Sequence, residues 1–363
     1  MPARLMVFAG QSNAGFHFDP AFGQAAISVF KPLFDGLTGD QAILGGSAGG
    51  QTWLGGSSVQ RSAVAPGSTA YWWDDPLNQG LSGVPGPCLT AALAWILAHP
   101  NRADLAAIVW IQGEQDCFAI GGNPGIASNT ANHPYEGRAS LAAYRSQLAR
   151  VLGHFRLALG RPDLPILIAE LGRLGSSAGT WVVDEMRRIQ HQVAASMPGV
   201  EIASVTRDQN LSDAVHLDTA GYAAVAARLA RFAAARIGGA GTARLGPRLS
   251  RAMLEEDACR LDLEIAHDGG GAVQAGSPVT GIRVEDDNGI RTPSSFEVAG
   301  PSLLRARFGS PLRGRIEIRA GYGGADAGPS YPRDDQAPAL PLRPEIRRTG
   351  LAPANAIRSF WRR

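Results

Sequence analysis

The sequence predicts an α/β protein: a three-layer α/β/α domain around a mostly parallel sheet, followed by a small antiparallel β domain. Three observations carry this. Short β-prone apolar runs alternate with helix-period segments over the first two-thirds of the chain, the pattern of a parallel sheet covered on both faces. After Gly238-Gly239-Ala240-Gly241 the pattern changes to short alternating runs separated by Gly, Pro, Asp and Asn. Finally, 363 residues with 45% hydrophobic and 18% charged content leave room for two domains with a sizeable core.

The first strand is read at Leu5–Ala9, an apolar run closed by Gly10. Further buried strands are read at Ala42–Leu44, Leu105–Ile111, Pro165–Glu170 and Val200–Val205. Between them lie helices at Leu89–Ala98, Leu141–Leu159, Val182–Ala195 and Thr219–Ile237. In the second of these, Leu141, Tyr144, Leu148, Val151, Leu152 and Phe155 fall on one face. Two connections, Gly55–Pro87 and Phe118–Arg138, are Gly-, Pro- and Asn-rich and long for a compact domain. Both follow strand ends, so they are expected to wall a pocket.

The Gly238–Gly241 break suggests a first domain over residues 1–240 and a second over 241–363. Alternating runs at Arg260–Ile265, Thr280–Val284, Phe296–Val298, Leu303–Phe308 and Arg315–Ala320 read as a small β-sandwich. The Pro- and Arg-rich tail from Gly323 to Arg363 reads as irregular chain.

Composition excludes several function classes. The formal net charge is +2, and the arginines form no stripe interleaved with aromatics, so no nucleic-acid partner is expected. Cys88, Cys117 and Cys259 are an odd number without metal-ligand spacing, which argues against a disulfide framework or a structural zinc. No apolar run approaches the ~18–20 residues of a membrane span. No basic stretch followed by an apolar core opens the chain, so a soluble protein without an ordinary export signal is expected.

Three segments carry chemistry. Val7-Phe8-Ala9-Gly10-Gln11-Ser12-Asn13 places a serine just past a buried strand, where open α/β sheets put their sites. Trp110-Ile111-Gln112-Gly113-Glu114-Gln115-Asp116 follows the run from Leu105 to Val109. Asp213-Ala214-Val215-His216-Leu217 places an acid three residues before a histidine. A serine hydroxyl needs a base within hydrogen-bond reach, and the base needs an orienting acceptor. Ser12, His216 and Asp213 supply these roles. The Ser12 backbone N–H is one candidate oxyanion donor. Gly49 or Gly50 of Ser47-Ala48-Gly49-Gly50 is a second, since glycine lets backbone approach a ligand closely. Asn13 is expected to brace the nucleophile turn, with Gln11 beside it. His17 and His133 sit in loops as candidate pocket residues. Cys117 reads as a small buried side chain, because Ser12 already fills the nucleophile role. Trp53, Tyr71, Trp72 and Trp73 offer flat faces for stacking on sugar rings, which tilts the substrate toward a saccharide over a long-chain lipid.

In order and spacing, the three segments resemble the SGNH-hydrolase superfamily, and within it the sialate O-acetylesterase and acetyl-xylan-esterase branch. The resemblance covers about residues 4–238. It implies a flavodoxin-like strand order. It also implies that Gln112 donates to the oxyanion, in place of the asparagine of other SGNH enzymes, and that Glu114 is a buried organiser of the site. The expected activity is removal of O-acetyl groups from a saccharide or polysaccharide through an acyl-enzyme, without metal or organic cofactor. Another short-chain acyl esterase or thioesterase is the alternative, as is a glycan-binding particle component with weak esterase activity. A cytoplasmic enzyme and a phage-like particle component both fit the sequence, with the C-terminal domain a candidate for holding an assembly partner.

Overall fold

The computed structural model describes residues 1–46, 57–65, 67–75, 83–121, 139–174, 180–241, 248–255, 257–266, 272–274, 279, 281–320 and 345–348. The chain divides into two units, Met1–Ala243 and Arg244–Arg363.

In the first unit, β1 (Ala3–Gly10) leads into the short helix α1 (Ser12–Phe16). A π-helical turn at Ala26–Phe30 runs into α2 (Lys31–Thr38), and β2 (Gln41–Gly45) follows. Three short strands come next: β3 (Ser58–Gln60), β4 (Tyr71–Asp74) and β5 (Val84–Pro85). Then come α3 (Pro87–Ala98), β6 (Leu105–Ile111), α4 (Glu114–Gly121), α5 (Leu141–Ala158) and β7 (Ile166–Ala169). The unit closes with α6 (Thr180–Ser196), β8 (Val200–Ser204) and α7 (Thr219–Ile237).

The main sheet has the order β2-β1-β6-β7-β8, and every pairing is parallel. Counting only its own strands, this is the 2-1-3-4-5 order of doubly wound sheets, with the switch point between the first and third. The strands read as continuous apolar runs because both faces are covered. Leu5 to Ala9 are fully buried, and β6 is buried along its whole length. Ser140 and Asp218 cap α5 and α7, their side chains accepting from Ala143 N and Gly221 N. Phe8 packs edge-on against Phe18 and Phe30, with centroids 5.2 and 5.5 Å away.

The sequence reading missed the sheet β3-β4-β5, which lies inside the predicted loop from Gly55 to Pro87. It also missed α4, which begins inside the second motif and runs into the predicted Phe118–Arg138 loop.

The second unit holds β9 (Arg248–Leu254), β10 (Arg260–Ala266), β11 (Ile282–Asp286), β12 (Gly289–Arg291), β13 (Ser295–Gly300), β14 (Leu303–Arg307), β15 (Glu317–Ala320) and β16 (Glu345–Arg348). Its sheets have the orders β13-β14-β10-β9-β16 and β12-β11-β15. All pairings are antiparallel except β16 with β9. Leu254, Leu261, Leu263, Val284, Leu304 and Ile316 are among the side chains of one apolar core. No helix among the described residues is long and apolar enough to cross a membrane.

Candidate active site

The sheet brings the three motifs to the C-terminal ends of its strands. β1 ends at Gly10, and Gln11 N donates to Ile111 O at 2.8 Å, which ties the start of α1 to the end of β6. Ser12 is the first residue of α1, so its N–H has no earlier turn to donate to. Its hydroxyl lies 2.9 Å from His216 Nε2, across 204 positions of sequence.

His216 sits in a tight loop between β8 and α7. Ser212 N donates to His216 O at 2.8 Å, and Leu211 pairs with Leu217 to close the loop. Asp213 accepts at Oδ1 from Val215 N and His216 N, at 2.8 and 2.7 Å, and at Oδ2 from His216 Nδ1 at 2.7 Å. A carboxylate at Nδ1 holds the ring proton there and leaves Nε2 as the acceptor toward Ser12. Burial alone would raise the Asp213 carboxyl, but the His216 ring and the His216 and Val215 backbone N–H groups hold it below its ordinary value. Phe16 lies against the His216 ring, centroids 4.5 Å apart.

Asn13 joins these pieces. Its Nδ2 donates to Glu114 Oε1 at 2.6 Å and to Val215 O at 3.1 Å. Its Oδ1 accepts from the Tyr222 hydroxyl at 2.6 Å. One side chain thus links the serine helix, the histidine loop, α4 and α7. Gln11 accepts at Oε1 from Gln115 N at 3.2 Å. Glu114 is 3% exposed, and burial raises its carboxyl above the ordinary value despite the Asn13 hydrogen bond.

Several expectations need correction. Gln112 is 1% exposed, and its Nε2 is turned to Asp116 Oδ2 at 2.6 Å while its Oε1 accepts from the Tyr144 hydroxyl. The amide therefore serves a buried network, with one N–H and its oxygen engaged there. Asp116 is the centre of that network, accepting also from Val59 N, Gln60 N and Gln60 Nε2. This moors β3 to α4, and burial, outweighing these bonds, raises the Asp116 carboxyl to about 6.

Tyr71, Trp72 and Trp73 are 8%, 0% and 5% exposed. They form the core of the small sheet and offer no open face for a sugar ring. Trp72 Nε1 donates to Ser57 Oγ at 2.9 Å and to Gly10 O at 3.2 Å, and its ring meets Trp110 edge-on at 4.8 Å. Trp72→Ala should destabilise the fold by about 3–5 kcal/mol in urea unfolding, the usual range for a buried aromatic. A loss below about 1 kcal/mol would show that the ring is not a core element.

His17 is fully buried. Desolvation lowers its pKa to about 4, although its Nδ1 donates to Asn13 O at 2.7 Å. The unfolded chain gains a proton as pH falls through about 6.5, which the folded chain resists until about 4, so stability falls in that window by about 3 kcal/mol. Asp116 and Glu114, with raised carboxyls, act in the opposite direction. The wild type should therefore lose about 3 kcal/mol relative to His17→Phe between pH 6.5 and 4. Parallel pH profiles for the two proteins would contradict this.

Cys117 is buried and its thiol is pushed well up by desolvation, so it is a packing residue. Gly49, Gly50, Trp53 and His133 lie outside the described residues. Tyr222, which the sequence reading left without a role, gains one through Asn13. Arg173 escaped the sequence reading, having no motif around it.

Residues 90–235 match the family model described as carbohydrate esterase, sialic acid-specific acetylesterase. No curated protein sequence matches the chain. Among solved structures, a carbohydrate acetylesterase from Xanthomonas citri aligns at 16% identity, covering 93% of this chain and 80% of that one with a TM-score of 0.59. That likeness shows the fold. A carbohydrate acetylesterase from Sinorhizobium meliloti aligns at 13% identity over 64% of this chain and 99% of its own, with a TM-score of 0.38.

Proposed function

We propose that this carbohydrate esterase removes O-acetyl groups from saccharides by a serine-based, two-step acyl transfer. The observation that carries the reading is the chain Ser12 Oγ to His216 Nε2 to His216 Nδ1 to Asp213 Oδ2, with steps of 2.9 and 2.7 Å. Ser12 Oγ attacks the acetyl carbonyl and gives its proton to His216 Nε2. Asp213 holds the imidazole and stabilises the charge that forms on it. The tetrahedral intermediate collapses, and His216 returns the proton to the departing sugar oxygen. A water activated by the same imidazole then releases acetate and regenerates Ser12.

The Ser12 N–H supports this reading as one oxyanion donor, and Gly49 or Gly50 is proposed as the second. Asn13 and Glu114 act as positioning residues. The substrate class follows from the matched family and from the name of the Xanthomonas citri neighbour.

The test is acetate release from a panel of acetylated mono- and polysaccharides, run beside the same sugars carrying longer acyl chains. Acetyl esters should be preferred. Equal rates on long-chain esters would favour a general acyl esterase. Full loss of activity in a chelator would show that a metal does the chemistry.

A further inference from the structure

Behind the serine helix lies a cavity of about 20 Å³, lined by Asn13, His17, Gln112, Glu114, Arg173 and Val215, among others. A water molecule needs about 10–15 Å³ measured this way, so the cavity has room for one. Three of the lining side chains each carry a buried polar atom with no hydrogen-bond partner: His17 Nε2, Glu114 Oε2 and Arg173 Nε. A buried polar group left unsatisfied costs about 1–3 kcal/mol. Three such side chains lining one small cavity mark a place for a guest.

The chemistry of the three atoms identifies the guest. Arg173 Nε–H can only donate. His17 Nδ1 meets a carbonyl, Asn13 O, which can only accept, so Nδ1 carries the ring proton. In the neutral ring Nε2 is then a bare acceptor. Glu114 Oε1 is already taken by Asn13 Nδ2, and Oε2 is the carboxyl oxygen left over. A cation would meet the Arg173 N–H, and an anion would meet a ring lone pair and a carboxyl oxygen. Water fits all three, because it accepts from Arg173, donates to His17, and can either donate to the Glu114 carboxylate or accept from the protonated carboxyl. Buried waters typically make about 3 such bonds.

We propose that this cavity binds one ordered water, which accepts from Arg173 Nε, donates to His17 Nε2 and shares a hydrogen bond with Glu114 Oε2, and that Arg173 is thereby a positioning residue for Ser12 and His216. The three partners come from three neighbouring segments of the sheet's C-terminal edge: His17 from the end of α1, Glu114 from the start of α4 after β6, and Arg173 from the segment after β7. The water fixes the free oxygen of Glu114. Glu114 in turn orients Asn13, whose amide spans the serine helix and the Val215 carbonyl beside His216. Arg173 so reaches the site without touching substrate. Its effect on turnover rests on the acyl-transfer reading above; the water site itself does not.

The experiment has two arms. A crystal structure of the whole chain, fine enough to show ordered water, should place one peak within hydrogen-bond distance of all three atoms. Magnetic relaxation dispersion should count one long-lived water more in the wild type than in Arg173→Met. In the second arm, Arg173→Met should lower kcat on an acetyl ester roughly 10-fold or more with KM little changed, since misplacing a reacting group by ~1 Å can cost about 10²-fold. Arg173→Gln, which keeps a donor, should recover part of the loss. A site without the water peak, or equal relaxation counts, overturns the water. A bound water with unchanged kcat in Arg173→Met overturns the positioning role. If the wild type itself releases no acetate, the acyl-transfer reading fails while the first arm still decides the water.

Discussion

Ser12→Ala should give a folded protein whose acetate release is slower by ~10³-fold or more, because nucleophile and base act as one unit and the remaining binding groups supply only a small residue of rate. The serine is half-buried at the start of a five-residue helix, and its hydroxyl bonds His216. Removing it deletes little packing, so the urea midpoint should move little. A variant with more than about a tenth of wild-type kcat would end the nucleophile assignment. A variant that unfolds would show instead that the Ser12–His216 bond is a structural joint. The two outcomes are separated by measuring unfolding and turnover on the same preparation.

The second large effect belongs to Gly10→Ala. Gly10 has φ +139°, a region that side-chain-bearing residues rarely adopt. A Cβ there would stand 1.9 Å from Ile111 O and 2.5 Å from Ile111 C. Both atoms are backbone of β6, the neighbouring central strand, and Ile111 O is already engaged by Gln11 N. No flexible side chain is present to yield. Either β1 and β6 part at their C-terminal ends or the serine turn is rebuilt. The expected loss is about 4 kcal/mol or more, beyond the usual range for a single substitution, with turnover lost in whatever remains folded. A soluble variant less than about 1 kcal/mol below wild type, with normal kcat, would show that the close approach has slack.

How much of this was legible beforehand depends on the distance over which each feature is decided. The β1 run reads correctly because burial on both faces writes a continuous apolar stretch into the sequence. The Asp213–His216 pair reads correctly as a local arrangement because its bonds close within three residues. The direction of the Gln112 amide is not legible because its partner choice is made by Asp116 and Tyr144, one a helical turn away and the other 32 residues on. Nothing in a Gln-Gly-Glu string says which way the amide turns. The aromatic cluster Tyr71-Trp72-Trp73 carries the same ambiguity, since a loop-borne indole that stacks on sugar and one that anchors a small sheet have one composition. β9 was missed for a different reason. Its Arg248, Ser250 and Arg251 obscure the alternation, and its pairing with β10 shifts register between Glu264 and Ile265, so no simple period of two survives.

The placement of acid and base in one short loop changes what the rest of the fold has to accomplish. A triad drawn from three separate strands would require two long-distance alignments. Here the acid and base arrive already assembled, and a single joint, Ser12 to His216, remains to be set, with the Asn13 amide clamped across it to Val215. Surface connections between α1 and β8 that take no part in the core or in the Asn13 bonds can lengthen or change sequence provided that one joint keeps its spacing. Variation in substrate grip and variation in the reacting groups are therefore separable properties of this chain, open to engineering one at a time.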